Sequence, residues 1–295
     1  MIQGESGYLS DEELAIVTAK HNTQVFKSNL NVLNDHNGFQ KGELHLVVAP
    51  SGGGKSTFIR TIVFELIRAH KVFLYLSEEP RESYVKSLNA AYSEAVKGST
   101  NPDRERFLQN LKVMTELDLE EDYKKHFFKI LKDEILDHGT EVFIFDNITT
   151  SFLDTLGISH APKVIAFFKR LANELNIAVI MVVHTQKGTT LAKGAFSSEN
   201  VRGNASSALM GSYVYVVMVV HSDAGTRSFV VTDKARYHPH ANKRVYEMNF
   251  DKTLGLITRD LRSTHGLLSK AINDANDELK PKKQAGQKSS WGKRE

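Results

Sequence analysis

"LHLVVAPSGGGKST" occupies residues 44–57, and its reading decides the fold. The opening "LHLVVA" is a short run rich in apolar and β-branched residues, which reads as a buried strand. A proline, a serine, three glycines, a lysine and two hydroxyls follow. Residues 49–56 match G-x-x-x-x-G-K-[ST] at every fixed position except the first, where Ala49 stands. That pattern has a mechanism when a strand enters it and a helix leaves it. Gly52, Gly53 and Gly54 let backbone amides turn onto phosphate oxygens without a Cβ in the way, and Ser51 before them belongs to the same expected cradle. Lys55 would reach the β- and γ-phosphates, Ser56 would ligate Mg²⁺, and Thr57 completes the first turn of the helix. ATP and Mg²⁺ are the expected ligands. Ala49 fits if its position needs only a small side chain.

Strands and helices alternate on both sides of this stretch. "KVFLYLS" (71–77), "EVFIFD" (141–146) and "IAVIMVV" (177–183) read as further strands, nearly continuous in apolar residues. Helices are expected over 55–70 and over 162–176, the second with Pro162 in its first turn. Residues 80–138 read as mostly helical, broken at "GSTNP" (98–102). Such alternation implies a parallel sheet covered on both faces. After residue 210 the rhythm changes. "SYVYVVMVV", "RSFVVTDKA", "KRVYEMNF" and "LGLITRD" are strands parted by the turns "HSDAGT" and "FDKTLG", so antiparallel hairpins extend the sheet. The expected class is α/β: a P-loop core with a mostly parallel central sheet extended by C-terminal antiparallel strands. Upstream, "DEELAIVTAKHN" (11–22) reads as a helix capped by Ser10, and residues 28–43 read as turns. The expected layout is a helix and linker at 1–27, the ATPase domain at 28–262, a short helix at 263–278 and a basic, disordered tail at 279–295.

With 41% hydrophobic and 25% charged residues among 295, the chain has material for one large core or two small ones. No apolar run approaches the ~20 residues needed to cross a bilayer. The start, "MIQGESGYLSDEEL", lacks the basic and apolar regions of a secretory signal. No membrane partner is expected. The chain has no cysteine, which excludes disulfides and thiolate metal sites and fits the cytoplasm, the host's if the protein is phage-encoded. Of the net charge of +3, residues 279–295 carry +5 and the remainder −2. Any positive surface for nucleic acid on the body is therefore local.

A nucleotide hydrolase also needs a carboxylate near Mg²⁺ and a group that polarises water. Asp146 ends the strand "VFIFD", from which a carboxylate reaches the metal's water shell. Glu78 and Glu79 end "VFLYLSEEP", on the sheet edge where such folds bind ligands, and one of them is the candidate base. His184 and Gln186 follow "IAVIMVV" as candidate sensors of the γ-phosphate.

In this order the pieces resemble the RecA-like core of hexameric replicative DNA helicases of the DnaB type and of phage primase-helicases. The resemblance spans roughly residues 28–260. "GFQKGELHLVVAPSGGGKST" resembles the entry strand and P-loop, and "LYLSEEP" the strand closing on a catalytic Glu, which maps to Glu78. "VFIFDN" resembles the Walker B strand with Asp146, and "IMVVHTQKG" the sensor strand, where His184 matches best. Two further segments are rarer among ATPases. "SENVRGNASSALMGSYVYVV" (198–217) resembles a D-x-R-G-S-G segment, with Asn200 in place of Asp and without the second Gly. "TDKARYHPHANKRVYEMNFD" (232–251) resembles a late hairpin carrying Lys-x-Arg. The resemblance implies that Arg236, beside Lys234, reaches the ATP of a neighbouring subunit in a homo-oligomer, a hexameric ring.

A ring would bring one loop of each subunit to its centre. The best candidate is 185–204, whose Lys187, Lys193 and Arg202 would grip single-stranded DNA without reading its sequence. Residues 147–160 are a second pore-loop candidate. About forty residues precede the P-loop, and the 11–22 helix in them is the candidate for docking on the next subunit. Trp291 in the tail is the candidate anchor for a primase, polymerase or loader. The leading reading is an ATP-dependent helicase or translocase in replication. A RecA/RadA-like recombination ATPase and a KaiC-like ATP-dependent assembly module stay open beside it.

Overall fold

The computed structural model describes residues 25–97, 104–116, 121–148, 161–185, 211–223 and 225–278. Five strands, β3 (Leu44–Ala49), β4 (Val72–Leu76), β5 (Leu111–Thr115), β6 (Val142–Asp146) and β7 (Ala178–His184), precede a run of four, β8 (Tyr213–Ser222), β9 (Gly225–Ala235), β10 (Arg244–Asp251) and β11 (Leu256–Ser263). They form one nine-stranded sheet in the order β11-β10-β9-β8-β3-β7-β6-β4-β5. Every pairing from β8 through β5 is parallel. The pairings β8–β9, β9–β10 and β10–β11 are antiparallel. The expected mostly parallel sheet with an antiparallel C-terminal extension is the one found. A small second sheet pairs β1 (Val25–Phe26) with β2 (Phe39–Gln40).

The continuous apolar strands are explained by burial on both faces. All six residues of β3 are buried, and alternate residues enter two different cores. Val47 and Ala49 pack with Phe58, Ile59 and Ile62 of α2 (Lys55–Leu66) and with Tyr84 and Leu88 of α3 (Arg81–Ala95). Leu44, Leu46 and Val48 face the other core. There they meet Leu131 and Ile135 of α5 (Glu121–His138), Ile165 and Phe168 of α6 (Ala161–Leu175), and Leu268 and Ile272 of α7 (His265–Glu278). Each fully buried Leu, Val, Ile or Phe contributes about 1.5–3 kcal/mol, so neither face tolerates a charge. Asn176 takes a left-handed conformation (φ 51°) after α6, a backbone state that Asn accepts more readily than most residues. No helix of the described residues is long and apolar enough to cross a membrane.

Two segments differ from expectation. Residues 80–138 are not helical throughout: between α4 (Arg104–Gln109) and α5 lies the edge strand β5, parallel to β4. Its helix-like appearance comes from half-exposure, with Lys112 reaching out to pair with Glu134 of α5. The stretch 28–43 contains a short helix, α1 (Asn31–Asn34), as well as turns. Asp260 of β11 accepts 2.7 Å hydrogen bonds from the amides of Asn31 and Val32. Asp35 takes hydrogen bonds from Arg244 (2.8 Å), Arg262 (2.6 and 3.0 Å) and Tyr246, tying α1 to β10 and β11.

Candidate functional site

The parallel strands deliver the candidate residues to one edge of the sheet. Register pairs Ala49 with His184 and Leu76 with Asp146. The C-terminal ends of β3, β7, β6 and β4 therefore stand side by side, and the P-loop, His184, Asp146, Glu78 and Glu79 follow from those ends. This is the edge where open α/β sheets bind ligands.

The loop between β3 and α2 is shaped by its glycines. Gly52 and Gly54 have φ of 73° and 84°, in the left-handed region. A Cβ on Gly54 would stand 2.8 Å from Val219 Cγ2 on β8. The Gly53 amide donates to the Pro50 carbonyl at 2.9 Å, closing the turn. Lys55 is buried in the first turn of α2, with Ser56 and Thr57 half-exposed after it. Ala49 is still part of β3, fully buried, and its carbonyl accepts from the Thr185 amide at 3.1 Å. Its methyl group packs in the α2 core, where a small side chain is accommodated.

Asp146 is the electrostatic centre. Burial pushes its carboxyl up from 3.8 to about 6; Lys55 opposes this, while Glu78 and Glu79 add to it. The residue keeps some exposure, yet the atoms packed around the carboxyl make loss of water the largest effect. The two glutamates are not equivalent. Glu79 lies 3.6 Å from Arg60 of α2 and accepts from Ser83 at 3.4 Å. Glu78 is exposed and, among the described residues, makes no hydrogen bond or ion pair. Ser77 links the two strand ends: its amide donates to the Asp146 carbonyl (2.8 Å) and its hydroxyl accepts from the Asn147 amide (3.0 Å).

These residues fit a magnesium–nucleotide. Among the described residues no group of three or more His, Cys, Asp or Glu could hold a metal alone. Mg²⁺ needs no such group, since it is held by one or two carboxylates together with substrate phosphates. Ser56 and Asp146 would supply the protein's share, and a cation would relieve the repulsion that Glu78 and Glu79 exert on Asp146.

Two features carried no clear sequence signal. Arg60 and Tyr84 back the acids: Arg60 lies over the Tyr84 ring at 5.6 Å. Among the described residues the buried Tyr84 hydroxyl has no hydrogen-bond partner, and burial and the Asp146 charge raise its pKa. A cavity of about 550 Å³ also adjoins the P-loop, lined by Gly54, Thr57, Val219, Met248, Asn249 and Phe250. Arg227 on its wall is held to Glu247 by two hydrogen bonds of 2.8 Å. Only the pairing of β8, β9 and β10 brings these walls together, from three separated segments.

Arg236 lies at the opposite edge, and Lys234 is level, through Val214, with Leu46 of β3. Tyr213 pairs with His45 in parallel and with Ala235 antiparallel. The Arg236 amide donates to the Ser212 carbonyl and the Ser212 amide to the Leu44 carbonyl, both at 2.9 Å. Arg236 thus stands level with the start of β3, whereas the P-loop begins at its end, about 20 Å away along a six-residue strand. No arginine side chain spans that distance. Gln186, Lys187, Lys193, Arg202, Trp291, the 11–22 helix and the 149–160 loop lie outside the described residues.

A family model described as an AAA domain matches residues 7–190, more than half of the chain. The match includes the P-loop, Glu78, Asp146 and His184, and ends before β8. No curated protein matches the sequence. Among solved structures, a KaiC-like protein from the hyperthermophilic archaeon Pyrococcus horikoshii OT3 shares the fold, with a TM-score of 0.60. Identity is 12%, over 82% of this chain and 99% of that one.

Proposed function

The chain belongs to the AAA domain family, and from that premise we propose that it is a ring-forming motor that hydrolyses ATP to move along single-stranded DNA. Family and fold together make it a P-loop ATPase of the RecA-like type. The observation that carries the finer reading is the distance between Arg236 and its own P-loop. An arginine that cannot reach the nucleotide of its own subunit can reach that of a neighbour stacked head to tail. Such a heterologous contact makes a ring where its rotation closes, and the motor reading takes it to close.

The residues then divide the work. The amides of Gly52 to Lys55 and the Lys55 ammonium hold the β- and γ-phosphates, and the cavity beside Gly54 takes the base and ribose. Ser56 and Asp146 would hold Mg²⁺, which when bound would supply charge neutralisation at those phosphates. Glu78, free of the ion pair that holds Glu79, accepts a proton from the attacking water. The water oxygen bonds to the γ-phosphorus as the bond to the β–γ bridging oxygen breaks, leaving ADP and phosphate. The neighbour's Arg236 offsets the charge that develops. His184 lies beside Ala49 in register, so it is suited to sense the γ-phosphate and move the segment behind it, which carries Lys187, Lys193 and Arg202.

The likeness to a KaiC-like protein favours a second reading, in which ATP drives assembly and no DNA is moved. Electron microscopy with a non-hydrolysable ATP analogue and single-stranded DNA separates the two. A closed ring with DNA through its hole is the expected result. A filament, or a ring that excludes DNA, refutes the motor.

A further inference from the structure

At the sheet edge where β3 begins, a cavity of about 560 Å³ opens between α6 and the segment after β9. Lys169 and Arg170 of α6 line it on one side, and Arg236 and Tyr237 on the other. Lys234, near the end of β9, precedes Arg236 by two residues. Burial, and then the charges of Arg236 and Lys169, hold the Lys234 ammonium below its ordinary pKa. Cations from two elements therefore converge on one space.

Among the residues lining the cavity positive charge exceeds negative: Lys169, Arg170 and Arg236 stand against Glu43. Glu43 lines the cavity, but it accepts the Tyr237 hydroxyl at 2.9 Å and the Ser212 hydroxyl, which fixes the loop bearing Arg236. Arg170 has Glu174 one turn along its helix, at 4.0 Å. Among the described residues Lys169 makes no ion pair. Like charges held together in a partly desolvated cavity favour a polyanion that satisfies them jointly. A triphosphate has the charge and the size.

We propose that Lys169 joins Lys234 and Arg236 in receiving the triphosphate of a nucleotide bound to the P-loop of a second copy of this chain. The proposal rests on the ring reading above. Lys169 adds a contact from α6 to those from the end of β9, so the polyphosphate is held from two directions. It also provides a route between sites. Helix α6 leads through Asn176 directly into β7, and β7 ends at His184 beside its own subunit's P-loop. A shift of α6 on a neighbour's phosphate is thereby carried to the next site.

Mixed-ring hydrolysis tests this. Lys169→Ala keeps α6 intact, because Ala is the strongest helix former, and an unchanged melting temperature checks it. Turnover should fall roughly ten- to a hundredfold, and Lys169→Arg should restore most of it. Mixed in equal amounts with Lys55→Ala, about a quarter of interfaces combine an intact P-loop with an intact set of cations, and turnover should recover towards that fraction. Mixed with Arg236→Ala, Lys169→Ala should recover nothing, because both lesions lie on the same side of the interface. Turnover within about twofold of wild type for Lys169→Ala overturns the proposal. So does rescue by Arg236→Ala, which would assign Lys169 to its own subunit's site. Weakened single-stranded DNA binding with unchanged DNA-free turnover also overturns it, by making nucleic-acid phosphates the ligand. If Arg236→Ala and Lys55→Ala fail to rescue each other at every ratio, the ring reading itself falls and takes the proposal with it.

Discussion

The three glycines of the P-loop should fail on substitution by alanine for three different reasons. At Gly52 an added Cβ meets nothing within 4 Å, but φ is 73°. Gly52→Ala should cost only left-handed strain, about 1–2 kcal/mol. At Gly54 the same strain (φ 84°) is joined by an approach of 2.8 Å to Val219 Cγ2. Val219 must turn or move, adding about 1–3 kcal/mol. At Gly53 the conformation is ordinary, yet the Cβ would stand 2.7 and 2.8 Å from the Pro50 ring and 2.9 Å from its carbonyl oxygen. Neither atom group can swing aside, so Gly53→Ala should open the turn and destroy the cradle. Urea unfolding measures the stability loss, and titration with a fluorescent ATP analogue measures the cradle. The expected order of damage is Gly52, then Gly54, then Gly53. Val219→Ala removes the obstructing methyl, so Gly54→Ala with Val219→Ala should recover the steric part, a coupling of about 1–3 kcal/mol, and retain the strain. No coupling between 54 and 219, or equal damage at 52 and 53, would refute the loop geometry described here.

Arg236→Ala should keep nucleotide affinity but lose about a thousandfold or more in turnover; mixing it with Lys55→Ala should restore hydrolysis, and persistent inactivity would speak against action between subunits. Asp146→Asn removes a carboxyl whose pKa is raised from 3.8 to about 6, so the metal-free protein should gain about 1–3 kcal/mol of stability above pH 6 while losing Mg²⁺-dependent hydrolysis; destabilisation in urea would contradict the electrostatic account. The Asp35 carboxyl pays a burial penalty, yet hydrogen bonds from Arg262, Tyr246 and Arg244 hold it down at about 2. Because that folded value lies below the ordinary 3.8, its stabilisation is complete above about pH 4 and fades as pH falls towards 2; discounted for solvent screening it is worth about 1 kcal/mol. Asp35→Asn should flatten that part of the urea-midpoint profile against pH.

The parallel core was legible because its strands are buried on both faces. A run such as "VFIFD" has few alternatives once a turn and a helix flank it. β5 was not legible in the same way. It sits at the sheet's edge, half-exposed, and its Lys112 belongs to an ion pair with Glu134, so its pattern resembles the helices around it. On the C-terminal edge, Lys55, Glu78, Asp146 and His184 could each be named from the strand that ends at it. Strand position alone did not tell Glu78 from Glu79, and only the family resemblance pointed to Glu78. The distinction lies in Arg60, which sits one helix turn past the P-loop and pairs with Glu79.

The sequence by itself determined the P-loop, the strand ends that carry the candidate acids, and the antiparallel extension. All are local: a motif of eight residues, or an apolar run with a residue at its end. Tertiary structure decided the rest. It packed the Ala49 methyl in the α2 core. It assembled the cavity beside Gly54 from β8, β9 and β10. It also put Arg236 at the far edge from its own P-loop and beside Lys169, which precedes it by 67 positions. Pairing direction and register fix which strand ends share an edge, and those are properties of the whole sheet, not of any segment in it.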